Sequence, residues 1–194
     1  LLIALKNKIN QDKPHLNVVY DATDAFVNKY VSIGQDPSNY NSSYNNLRET
    51  YERADILILD DVQIFQGKQK SLDMLFQIYN VLKNQGKPIV SAADRAPRNL
   101  EIDERYTSRF NEGMNVQIDP PEIETKVAIL ESYLRQILKS DNVEDFGLDD
   151  EIKFYIAENS SSNVRELKSA LSKVYAEIIQ NPEEEFTLDD AQLL

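Results

Sequence analysis

Ala54-Asp55-Ile56-Leu57-Ile58-Leu59-Asp60-Asp61-Val62-Gln63 is the stretch from which the fold can be read. Four large apolar residues, Ile56 to Leu59, run straight into two adjacent carboxylates. An unbroken β-prone run suits a strand buried on both faces, the usual state in a parallel sheet covered by helices. Open α/β sheets place their ligands at the C-terminal edge of such strands. A carboxylate there can hold Mg²⁺ through oxygen contacts, and a second can orient an attacking water. A buried strand that merely ends in an acidic loop is the other reading the stretch allows.

Outward from it, the pattern alternates. Before it, Asn17-Val18-Val19-Tyr20 reads as a short strand. Asp21 to Ile33 reads as a helix, with Thr23 or Asp21 as cap and Ala22, Phe26, Val27 and Tyr30 as its apolar stripe. Gly34 to Asn46, rich in Asn, Ser and Pro, reads as a mobile loop, and Leu47 to Arg53 as a short helix. After it, the turn Gln66-Gly67-Lys68 precedes an amphipathic helix carrying Leu72, Leu75, Phe76, Tyr79 and Leu82. Pro88 to Asp94 is the next strand, again ending in an acid. A loop, Arg95 to Arg98, leads to a short helix from Asp103 to Phe110, and Val116-Gln117-Ile118 is read as a last strand.

Asp119-Pro120-Pro121 ends the alternation, and everything beyond reads helical: Pro121 to Lys139, Leu148 to Asn159 and Asn163 to Gln180. Asn163, with Glu166 three residues on, forms a capping-box-like start. A short terminal element covers Phe186 to Leu194. The boundaries are therefore an α/β unit over 1–118 and a small all-α unit over 119–194. At the other end, Leu1 to Ile9 is helical in pattern but has no N-cap residue before it, so the chain opens in mid-helix.

The 194 residues include no Cys, one His and a net charge of −12. Disulfides, thiolate metal sites, cysteine nucleophiles and multi-histidine metal sites are excluded, and the Cys count fits a cytoplasmic protein. His15, in a polar turn after Pro14, reads as a surface residue. No apolar run approaches the ~20 residues of a membrane span, and no signal-peptide pattern opens the chain. The acidic balance argues against a general duplex-DNA binder, which needs a concentrated basic face.

Three arginines stand in informative places. Arg165 occupies the first turn of a helix, where the macrodipole disfavours a cation by roughly 0.3–1 kcal/mol; it either faces a bound anion or pairs with a local carboxylate. Arg105 and Arg109 lie four apart, hence on one helix face. They suit an anion site or an arginine finger, or else pair with Asp103, Glu104 or Glu112. Lys68 and Lys70 read as solvated charges, and Asp94 as a better site candidate than either.

Together these segments resemble the AAA+ ATPase domain of the bacterial DnaA replication-initiator family. Ile56 to Gln63 looks like its Walker B segment, Ala93-Asp94-Arg95-Ala96-Pro97 like sensor 1 and its loop, and Ser108-Arg109-Phe110 like the arginine-finger motif. Pro120 to Leu130 is similar to the opening of the lid, and Asn163-Val164-Arg165-Glu166-Leu167 to sensor 2. The resemblance covers essentially the whole chain in order. It implies a P-loop NTPase-type parallel sheet followed by an α-helical lid, with ATP or ADP and Mg²⁺ as cofactors. It assigns Asp60 to Mg²⁺, Asp61 to water polarisation, Asp94 to γ-phosphate sensing and Arg165 to phosphate in cis. Arg109 would reach the ATP of a neighbouring subunit, Arg105 would support that contact, and Val31 and Lys70 would meet single-stranded DNA.

Some features depart from the family. Ala92-Ala93 replaces the small hydroxyl residues usual before the sensor acid, and Lys70 replaces an Arg with its rigid fork. The sequence contains no Walker A loop, G-x-x-x-x-G-K-[ST]. The family would place that loop and its strand just before Leu1, and its duplex-binding helix-turn-helix domain beyond Leu194. The implied function is an ATP-dependent replication initiator that forms filaments at the origin and helps melt DNA, with slow regulatory hydrolysis. A replicative helicase or its loader would be a further partner. The alternative is a DnaA-like adaptor that binds an initiator or clamp without ATP turnover; a helicase-loader relative fits the arginine motifs less well.

Overall fold

The structure, a computed structural model, describes residues 1–143, 146–160, 163–183 and 186–193. They fall into two compact units, Leu1–Asn115 and Val116–Leu194.

The first unit is built on three parallel strands in the order β1 (Val18–Ala22), β2 (Ile56–Asp60) and β3 (Ile89–Ser91). Ala22 lies opposite Asp60, and Leu59 opposite Ser91. The register therefore brings the C-terminal ends of all three strands to one edge. Leu57, Ile58 and Leu59 are essentially inaccessible, as the unbroken apolar run predicts for a central strand. Burying each such side chain contributes about 1.5–3 kcal/mol. Around the sheet lie α1 (Leu2–Asp12), α2 (Thr23–Ile33), α3 (Tyr40–Glu52), α4 (Gln69–Asn84) and α5 (Glu104–Asn111). The sequence-read stripe of α4 is buried, with Tyr79 partly so, and Met74 and Ile78 join it, so the helix is enclosed on more than one side. Gly86, with φ of +67°, ends α4 in a left-handed conformation that suits glycine.

Three local expectations fail in the elements around the sheet and after it. Gly34 to Asn46 is not all loop, because α3 begins at Tyr40. Its Tyr44, Leu47 and Tyr51 recur at helical spacing and lie in or against the core. Packing of that stripe overrides the weak helix propensity of Asn and Ser. The turn before it is tied by Asp36, whose carboxylate accepts from Ser38 and Asn39. Neither Thr23 nor Asp21 caps α2, whose N-cap residue is Ala22. Asp21 instead accepts from Lys29 Nζ and the Tyr51 hydroxyl, each at 2.5 Å, while the buried Thr23 hydroxyl has no partner among the described residues. The segment after Asp61 forms a 3-10 turn, Val62–Phe65, that buries Val62 and Phe65. Val116 to Ile118 is no strand: no neighbouring strand supplies a ladder among the described residues, and Val116 and Ile118 are about 70% exposed.

The second unit is helical: α6 (Ile123–Asp141), α7 (Asp150–Asn159), α8 (Val164–Gln180) and α9 (Leu188–Leu193). Leu130 and Leu134 of α6, Ile152 and Ile156 of α7, and Leu167 and Leu171 of α8 meet in its core. Side chains cap each start where the sequence offers them. Asp149 accepts from Glu151 N, Asn163 from Arg165 N, and Thr187 and Asp190 bond reciprocally ahead of α9. Of the expected terminal element, Leu194 lies outside the described residues. Among the described residues no helix is long and apolar enough to cross a membrane.

Candidate functional site

The C-terminal edge of the sheet gathers three of the expected acids. Asp60 closes β2 half-buried; its Oδ2 accepts from the Tyr20 hydroxyl at 3.2 Å and its Oδ1 from Asp61 N at 3.1 Å. Burial and this bond to the carboxylate push the Tyr20 phenol above its ordinary range, so it stays a donor. Asp61 is exposed and adopts φ +57°, ψ +46°, a left-handed conformation uncommon outside glycine that Asp tolerates better than most residues. This sharp turn aims the chain away from the sheet, and Val62 N then bonds Ala92 O at 2.9 Å, tying the turn to the end of β3.

Asp94 does not end a strand. β3 stops at Ser91, and Asp94 lies three residues on in an exposed loop. Its carboxylate takes a bidentate pair from Arg95 Nε and Nη2, both 2.8 Å, which holds it below the usual carboxylate range.

Gln63 was not singled out from the sequence, yet it joins two of these acids. Its Nε2 donates to Asp61 Oδ1 at 3.0 Å, and its Oε1 accepts from Asp94 N at 3.3 Å. The available signal was positional: an amide two residues after the acidic pair has one donor group and one acceptor to divide between neighbours.

Arg105 and Arg109 share a face of α5, as their spacing predicts, and line one hollow of about 410 Å³ with Phe76, Asn80 and Tyr106. Arg105 pairs with Asp73 at 3.3 Å and Asp103 at 3.7 Å, its guanidinium 4.5 Å from the Tyr106 ring centroid. Arg109 takes neither Glu104 nor Glu112; Glu112 pairs with Lys83. Instead Arg109 Nη1 donates to Asn80 Oδ1 at 2.5 Å, and the guanidinium stands over Phe76 at 5.6 Å. Among the described residues Arg109 forms no ion pair, so its charge remains available to an anion.

Arg165 is exposed in the first turn of α8 and likewise forms no ion pair among the described residues; its backbone N bonds the Asn163 cap at 2.9 Å. Val31, on α2, is 52% exposed. Lys70, in the first turn of α4, lines a second hollow with Tyr30, the residue next to Val31. The edge thus gathers Asp60, Asp61 and Asp94; the arginine hollow holds Arg105 and Arg109; Arg165 belongs to the other unit.

Among known proteins, the model of the bacterial DnaA ATPase domain matches residues 1–117. The chromosomal replication initiator protein DnaA of Dechloromonas aromatica is 37% identical over 177 residues, which are 91% of this chain and 36% of that protein. The chain thus spans well under half the length of such relatives. Domain III of the Thermotoga maritima replication initiation protein DnaA superposes with a TM-score of 0.83 at 32% identity, over 99% of this chain and 75% of that one. A replication initiator DnaA bound to AMPPCP and single-stranded DNA superposes with a TM-score of 0.67 at 29% identity, over 89% of this chain and 51% of that one.

Proposed function

The chain belongs to the bacterial DnaA ATPase-domain family, and on that premise we propose that it is the nucleotide-switched core of a chromosomal replication initiator. The observation that carries the reading is the acidic pair at the C-terminal edge of the central strand, joined through Gln63 to Asp94. ATP or ADP is the ligand, in line with the AMPPCP held by the solved relative.

Asp60 keeps acceptor capacity beyond the two donors it already serves, which fits one carboxylate contact to Mg²⁺. No group of three or more acidic or histidine side chains gathers into a cage among the described residues. A shell made largely of water and nucleotide phosphate is what Mg²⁺ favours. When bound, the ion supplies charge neutralisation on the phosphate oxygens. Asp61 orients the attacking water. Asp94 senses the γ-phosphate, and to do so exchanges its pair with Arg95. Arg165 binds phosphate from the first turn of α8, where the helix N-terminus adds to the attraction. Arg109, lacking an acidic partner, reaches the nucleotide of a neighbouring subunit, and Arg105 supports that contact. Val31 and Lys70 meet single-stranded DNA in the assembled filament. Hydrolysis is slow and converts the assembling state into an inactive one.

The test is Mg²⁺-dependent binding of ATP and ADP by the natural full-length protein and its Asp60→Ala, Arg165→Ala and Arg109→Ala variants. Loss of one charged contact lowers affinity about tenfold or more. Such a loss in the first two variants, with binding kept but ATP-dependent assembly lost in Arg109→Ala, supports the reading. Unchanged affinity in both Asp60→Ala and Arg165→Ala overturns it.

A further inference from the structure

Tyr20 stands on β1 two residues before the strand's end, and its hydroxyl reaches across to Asp60 at the end of β2. The register explains the reach. Tyr20 lies opposite Ile58, and Ala22 opposite Asp60. Side chains two apart on a strand share a face, so Tyr20 and Asp60 are diagonal neighbours on one face of the sheet. Such a diagonal is within reach of an aromatic side chain. The ring is itself held: it is half-buried, and Lys6 of α1 stands over it with Nζ 6.0 Å from the centroid.

Two donors thus serve the Asp60 carboxylate, the Tyr20 hydroxyl on Oδ2 and Asp61 N on Oδ1 at 3.1 Å. One donor on each oxygen fixes the rotation of the carboxylate about its Cβ–Cγ bond, which a single donor would leave free. Each oxygen keeps a lone pair, since an ionised carboxylate offers about four acceptor sites. The hydroxyl bond, at 3.2 Å, is longer than the roughly 2.7–2.8 Å most common between oxygens, so it steers Oδ2 without saturating it. A packing role for Tyr20 would need only the ring, and it leaves the hydroxyl's aim at the carboxylate unexplained.

We infer that Tyr20 is a positioning residue for Mg²⁺: its hydroxyl sets the orientation in which Asp60 meets the ion, and so favours Mg²⁺ over a larger divalent cation. The inference rests on the reading of Asp60 as the Mg²⁺ carboxylate and adds to it the side chain that orients that carboxylate. Mg²⁺ demands near-ideal octahedral geometry, whereas Ca²⁺ accepts irregular shells and carboxylates bound through one oxygen or two. A carboxylate freed to rotate therefore weakens Mg²⁺ binding and matters little to Ca²⁺. Groups that hydrogen-bond a metal's ligands contribute about 10- to 100-fold in affinity.

The experiment measures the affinity of the natural full-length protein for fluorescent mant-ADP, first in EDTA and then in separate titrations with Mg²⁺ and Ca²⁺. The ratio of affinity with the ion to affinity in EDTA isolates the ion's contribution. Tyr20→Phe removes the hydroxyl and keeps the ring, and a thermal melt without nucleotide verifies its fold. It is expected to lower the Mg²⁺ ratio about tenfold, while the Ca²⁺ ratio and the affinity in EDTA stay nearly as in wild type. An equal fall in both ratios, or a fall in the EDTA affinity, is what a structural role or a direct contact with nucleotide would give, and either overturns the inference. So does an unchanged Mg²⁺ ratio in Tyr20→Phe when Asp60→Ala abolishes it, and the Asp60 reading then stands. If the wild-type protein gains nothing from Mg²⁺, or Asp60→Ala keeps the gain, that reading fails and the positioning role with it.

Discussion

Lys126 is 9% exposed in the second unit, and its ammonium is placed at the C-terminus of α7, donating to Ala157 O at 3.0 Å and Ser160 O at 2.8 Å. Lys126→Met keeps the aliphatic stem and removes both bonds. Two effects oppose each other. A hydrogen bond from a charged donor contributes about 1.5–3 kcal/mol, and a cation at a helix C-terminus adds up to ~2 kcal/mol in partly buried geometry. Against this, an ammonium taken out of water carries an effective penalty of several kcal/mol. The two carbonyls left behind are only partly reachable by water, so breaking the pairing outweighs the relief of desolvation. The expected net loss is about 2–3 kcal/mol. At roughly 4–8 °C per kcal/mol for a unit of this size, Tm falls by about 10–20 °C. Urea unfolding followed by far-UV circular dichroism gives the midpoint, and hydrogen exchange reports on the end of α7. A variant as stable as wild type, or more so, would refute the reasoning, because the desolvation penalty would then have dominated.

Two further outcomes are expected. Gln63→Ala frees the Asp61 side chain and the Asp94 backbone while removing no phosphate contact, so hydrolysis should fall about 10- to 100-fold, the scale of a lost positioning contact. ATP affinity should barely change, and an equal fall in both quantities would reduce Gln63 to a structural prop. For Tyr51, burial and its bond to Asp21 raise the phenol pKa far above the usual value. A group raised in the folded state contributes stability that is complete below its unfolded pKa, about 10, and is lost as pH climbs through the folded value. Absorbance at 295 nm should therefore show this tyrosine ionising only together with alkaline unfolding. A phenolate signal for all tyrosines ahead of the loss of helix would contradict this.

Elements whose pattern and environment agree were legible in the sequence. The run Ile56–Leu59 suited a doubly covered strand and the α4 stripe an amphipathic helix, and both elements form. The first half of α3, Tyr40 to Asn46, was hidden because Asn and Ser dominate it locally, whereas Tyr44, which helps fix it, does so through a residue far away in sequence, Gln77; the second half, from Leu47, was read as helix. Val116 to Ile118 shows the reverse: a strand pattern is only a disposition until a neighbour offers hydrogen bonds. In the candidate site, the positions of Asp60, Arg105 and Arg109 followed from strand end and helix spacing. The Arg95 clamp on Asp94 and the Gln63 bridge did not, since each depends on a rotamer that spacing leaves open.

Asp73 and Gln77 of α4 belong to both hollows, the one walled by tyrosines and the one holding Arg105 and Arg109. Neither side chain can therefore be assigned to one hollow alone. A single turn of α4 thus forms a shared wall, so a substitution at Asp73 or Gln77 alters the lining of both hollows at once.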